Sequence, residues 1–95
     1  MKWGFKRKQA SSSSAKHNKL GVLLVAKCDL DGAIAEYRKA VAIDPDLTNA
    51  WGMLGLCYYA KGDYSQARYC FSEAMRCSEP GSAAYNVAKE YLAKM

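Results

Sequence analysis

The residues able to do chemistry are one histidine, His17, four cysteines, Cys28, Cys57, Cys70 and Cys77, and the carboxylates Asp29, Asp31, Asp44, Asp46 and Asp63. A catalytic histidine needs a nucleophile or an orienting acid beside it. The sequence offers His17 no recognisable one, so it is expected to be an exposed helix-start residue. A zinc site needs closely spaced ligands, commonly in C-x-x-C pairs. The cysteines form no such pair, and a single histidine does not complete a Cys2His2 set. Cys70 and Cys77 stand seven apart on one predicted helix, about 10 Å by helical rise, too far for a disulfide. The cysteines are therefore expected to be reduced, small apolar core residues. The aspartates fall at predicted turns, where helix capping accounts for them. No glycine-rich phosphate loop is present. This pattern predicts no enzyme, no cofactor and no metal.

The elements that position these residues are clearest from Trp51 to Pro80. Trp51 to Ala60 carries no charge, Lys61-Gly62-Asp63 breaks the run, and a second helical pattern follows. Gly62 supplies a helix stop and Asp63 an N-cap, which predicts two antiparallel helices joined by a tight turn. Gly55, Ala67 and Ala74 let the two helices lie close, and Leu54, Tyr58 and Phe71 fill the space beside the contact. The pattern has a period. Leu20, Gly21, Ala33, Tyr37 and Ala40 each stand 34 residues before Leu54, Gly55, Ala67, Phe71 and Ala74.

Trp51-x2-Leu54-Gly55-x2-Tyr58, then Ala67-x3-Phe71, then a proline, at a period of 34, resembles the tetratricopeptide repeat (TPR). Pro45 closes the first repeat in register, whereas Pro80 comes one residue late. The resemblance implies an all-α fold, a right-handed superhelical array of helix-turn-helix pairs. Repeat one is placed at 14–47, repeat two at 48–81, and a C-terminal capping helix at 82–94. The first helix is expected over His17–Lys27 and the second over Leu30–Ile43. Cys28 stands where the family turns with glycine, so this turn is expected to be looser than the one at Gly62. In the last helix Tyr85, Ala88 and Leu92 keep the spacing, while Lys89 replaces the small residue, as suits a helix that closes an array.

Residues 1–13 have a different composition. Lys2, Lys6, Arg7, Lys8, Lys16 and Lys19 put six of the fourteen basic side chains before residue 20, with no acid among them. Eight basic side chains then face nine acidic ones in the remainder, a net of −1. Ser11 to Ser14 is low-complexity and offers no face to bury, so residues 1–13 read as a flexible basic arm. Trp3 and Phe5 among lysines suit contact with nucleic acid or an acidic membrane surface; the plain alternative is a solvated leader. No apolar run approaches a membrane span or a secretory signal, which points to a cytoplasmic location.

The resemblance also implies a binding surface, because the first helix of each pair lines the concave side of such an array. By register the lining positions are Asn18, Val22 and Val25 in repeat one and Asn49, Met53, Leu56 and Tyr59 in repeat two. Asn86 and Glu90 follow in the last helix. Relatives that grip the acidic tails of heat-shock chaperones hold a carboxylate with lysine, arginine and asparagine; Val22 and Met53 stand here at such places. The expected function is therefore a protein-interaction module or adaptor that takes an apolar or amphipathic protein or peptide segment. Self-association into a homo-oligomer, and anchoring through the arm, are the alternatives.

Overall fold

The computed structural model describes residues 12–95, and every regular element among them is a helix: α1 Ser12–Ala26, α2 Leu30–Ile43, α3 Thr48–Lys61, α4 Tyr64–Cys77 and α5 Ala83–Lys94. Residues 1–11, with Trp3, Phe5 and Lys6-Arg7-Lys8, lie outside the described residues, and so does the expected anchoring surface. Each helix packs on the next in chain order, and α3 also meets α5. The result is an all-α array of two helix pairs closed by a fifth helix.

Capping explains where most helices begin. Asp29 accepts from Gly32 N at 3.0 Å and Asp63 from Gln66 N at 3.3 Å. Ser82 accepts from Tyr85 N at 3.2 Å. Each satisfies a backbone donor that has no partner within its own helix. The two intra-repeat turns are alike, contrary to the looser turn expected at Cys28. Asp29 N donates to Leu24 O at 2.8 Å and Cys28 N to Val25 O at 2.9 Å. In the second turn Asp63 N donates to Tyr58 O at 2.9 Å and Gly62 N to Tyr59 O at 3.0 Å. Both are the double-bonded left-handed helix stop. Cys28 takes it with φ 63° where Gly62 has φ 84°, so the cysteine carries the strain of a Cβ in that region.

Within each pair a glycine receives an aromatic ring. A Cβ on Gly21 would lie 2.7 Å from the Tyr37 ring, and one on Gly55 would lie 2.9 Å from the Phe71 ring. Tyr37 and Phe71 are fully buried, with Ala33, Ala40, Ala67 and Ala74 around them. Between the pairs, Trp51 and Leu54 of α3 pack against α2. Trp51 Nε1 donates to the Pro45 carbonyl at 2.7 Å; the Pro45 ring is itself exposed. Tyr58 is partly buried against the core, whereas Leu20 is 37% exposed.

The beginning of the fold differs from expectation. Residues from Ser12 onward are already helical, ahead of the start expected at His17, so part of the serine run lies in α1. Ser14 is fully buried, and its hydroxyl donates to Asp44 Oδ2 at 3.2 Å. Asp44 ends α2, sits buried there and ties that end to α1. Serine is small enough to pass between helices, which composition alone does not reveal. His17 Nδ1 is 2.7 Å from Glu36 Oε1, a second tie from α1 to α2. This hydrogen bond, opposed by partial burial and aided by Lys39, holds the Glu36 carboxyl below its usual range.

Four outcomes follow from these contacts. Gly55→Ala drives a methyl into the Phe71 ring and is expected to cost about 1–3 kcal/mol in denaturant unfolding. Gly52→Ala is the control: its Cβ meets nothing within 4 Å, and it should gain about 0.8–1 kcal/mol of helix propensity. Cys28→Gly should gain about 0.5–1 kcal/mol by relieving the left-handed strain. Glu36 has a depressed pKa in the folded state, so its contribution is complete above the ordinary carboxylate range and is lost as pH falls through the folded value. Glu36→Gln should therefore lower the thermal midpoint at neutral pH and lose that effect at acid pH.

Candidate functional site

The spacing of Asn49, Gly52, Met53 and Leu56 puts all four on one face of α3. Asn18 and Val22 share a face of α1 in the same way. Helices α1, α3 and α5 bring these faces together with Ala83, Ala84 and Val87 to form an open groove of about 410 Å³, and Phe71 and Ala88 reach it from below. Val22 and Val87 stand on opposite walls, 49% and 41% exposed. Nothing fills the space above Gly52.

The groove is apolar, and no charged side chain lines it. Its polar groups are Thr48, Asn49 and Asn18. Thr48 Oγ1 donates to Cys77 O at 3.3 Å. The Asn18 amide oxygen is covered and has no hydrogen-bond partner among the described residues. A second, smaller hollow of about 230 Å³, where α2 meets α3 and α4, is walled by Arg38, Val41, Trp51, Leu54, Tyr58 and Tyr69 among others.

Five of the nine positions expected in the groove come together there: Asn18, Val22, Asn49, Met53 and Leu56. The other four lie elsewhere. Val25 packs against the core. Tyr59 sits among aromatic rings, 5.3 Å from Tyr64 and 5.1 Å from Tyr91. Asn86 is exposed and its Nδ2 donates to Gly81 O at 3.2 Å, and Glu90 is exposed. In α5 Ala88 is buried, and Tyr91 stacks on Phe71 at 5.1 Å with 13° between the rings. Gly52, Ala83, Ala84 and Val87 are lining residues that the register had not assigned. Gly52 was legible, since it completes the i, i+3, i+4, i+7 face from Asn49; Ala83, Ala84 and Val87 line the groove only because α5 packs beside α3.

Three of the four thiols are shielded; Cys28, expected in the core, is instead exposed, because it takes the left-handed turn position after α1. Burial pushes the Cys70 thiol up to about 12, and raises Cys57 and Cys77 as well. A thiol so raised carries little thiolate at neutral pH. Burial first, with Cys57 nearby, also raises the Tyr37 hydroxyl to about 12. Among the described residues no group of three or more His, Cys, Asp or Glu gathers as a metal would need, and no helix is long and apolar enough to cross a membrane.

Comparison with known proteins agrees with this geometry. A family profile described as "TPR repeat" matches residues 21–62, and one described as "Tetratricopeptide repeat" matches residues 48–79. Mouse "Tetratricopeptide repeat protein 5" is 49% identical over 37 residues, 39% of this chain and 8% of the relative. The Drosophila melanogaster "BBSome complex member BBS4 homolog" is 27% identical over 74 residues, 77% of this chain and 15% of the relative. "Cellulose synthase 2 operon protein C" of Komagataeibacter xylinus is 32% identical over 84 residues, 88% of this chain and 6% of the relative. The chain thus spans less than a sixth of the length of each of these relatives. Repeats of this kind serve as protein–protein interaction or scaffold modules. With two consecutive repeat matches over 21–79 on a matching array of helix pairs, the chain belongs to the tetratricopeptide repeat family.

Proposed function

We propose that the protein is a non-catalytic adaptor whose concave groove takes an amphipathic helix or extended segment with apolar anchors. The observation that carries this reading is the lining: Val22, Met53, Leu56 and Val87 around an open floor, with no charged side chain. Burying apolar anchors against such walls supplies the driving force. Met53 adapts its shape to different anchors. An acidic tail would meet no cation in the groove and is disfavoured.

The test is a display selection of helical and extended peptides on the full chain, with affinities measured for the recovered sequences. Peptides with apolar anchors at helical or alternating spacing should be enriched. Leu56→Glu should weaken them by about 2 kcal/mol or more as a central contact. Gly52→Leu fills the open floor and should abolish binding without lowering the thermal midpoint, because nothing opposes its Cβ. Leu54→Glu, two residues away and buried, should instead unfold the protein. Recovery of acidic, apolar-poor peptides, or binding that survives both groove substitutions, would overturn the assignment.

A further inference from the structure

A stripe of α1 repeats a stripe of α3 at the period of the fold, and the two differ in what covers them. On α3 the stripe is Ala50, Leu54, Cys57 and Lys61, whose steps of four, three and four keep one line of helix surface. Helix α2 lies over it. Ala50, Leu54 and Cys57 are buried, and Lys61 Nζ is 2.6 Å from Asp31 Oδ1 near the start of α2. The residues 34 positions earlier are Lys16, Leu20, Leu23 and Lys27. Leu20 is 37% exposed and Leu23 57%. A hollow of about 460 Å³ opens beside them, walled by Ala15, Lys16, Lys19 and Leu20. Lys16 and Lys27 have no acidic partner among the described residues.

We propose that this stripe docks an amphipathic helix of a partner protein, one with acidic residues at both ends of its apolar face, lying antiparallel to α1 as α2 lies to α3. The orientation follows from the pair at Lys61, where the start of α2 meets the end of α3. Lys16 and Lys27 are ~16 Å apart along the helix, so a helix of three turns sets one acid against each lysine and buries Leu20 and Leu23 between them. Residues 1–11 are the nearest segment in the chain. They carry Lys2, Lys6, Arg7 and Lys8 and no acid, and would set like charge against Lys16 and Lys19. A second copy offers α5 as an uncovered helix, but against its one exposed acid, Glu90, stand the exposed Lys89 and Lys94, which would set like charge against Lys16 and Lys27.

The chain's own α2 supplies a probe, because residues 29–46 bear Asp29 and Asp31 at one end and Asp44 and Asp46 at the other. A synthetic helix of this sequence, stapled across its polar face, is titrated into the full chain with the leucine methyls followed by NMR. The Leu20 and Leu23 methyls should shift. Binding should weaken about tenfold in the Leu23→Ser, Lys27→Glu double variant, and likewise when the four aspartates of the probe are replaced by lysine. The thermal midpoint of the double variant should stay unchanged, and Gly52→Leu should not affect this binding, which separates it from the groove. Absence of shifts at Leu20 and Leu23, or equal affinity for the lysine probe, overturns the proposal. So do contacts of Trp3 or Phe5 with Leu20 in the free chain, which give the stripe to residues 1–11. A dimer that Leu23→Ser disperses gives it to a second copy and overturns it as well.

Discussion

The fold depends on a close approach between helices, made twice. Gly21 faces Tyr37 and Gly55 faces Phe71, each ring lying where a Cβ would be. Closeness of this kind requires a residue without a side chain on one helix and a flat, rigid body on the other. The alanines at 33, 40, 67 and 74 extend the contact on either side. Once these two seams are set, the direction of every other side chain on α1 to α4 is fixed by helical geometry. The aromatic ring of the second seam then reaches further: Phe71 stacks on Tyr91 and so sets the rotation of α5.

A repeat of this type cannot bury itself alone. The stripe on α3 is covered because α2 precedes it, and the chemically similar stripe on α1 is left with two exposed leucines between lysines. The same sequence pattern is thus core in one copy and surface in the next. At the other end the chain answers the same problem differently. Helix α5 turns Ala88 and Tyr91 inward and presents Asn86, Lys89, Glu90 and Lys94 to solvent, so this end is polar where the first is apolar.

The groove is a consequence of the same arrangement. Three first-position helices line one side, and their lining residues come from positions that the two seams leave unused. Those positions hold valine, methionine, leucine and glycine, so the surface offers apolar area and no charge. No titratable side chain lines it. Cys57 and Cys70 are buried in the core, where burial raises their pKa values, and Cys28 is exposed at the first turn. The histidine is bonded to Glu36 of α2.

The sequence by itself determined the helix pairs, their period and their seams, because Gly21, Gly55, Tyr37, Phe71 and the alanines between them act through local spacing that a single chain displays. It also determined the capping by Asp29 and Asp63, and it pointed to the face of α3 that holds Asn49, Met53 and Leu56. Only the tertiary structure decided the rest. That Ser14 is buried against Asp44 depends on how two helix ends meet, and a serine run reads as solvated until they do. That Cys28 adopts a left-handed turn depends on the flanking helices, which hold the turn against the residue's own preference. That Ala83, Ala84 and Val87 line the groove depends on how α5 packs against α3 and α4. Periodicity gives the faces of a helix, but its rotation is chosen by what it packs against.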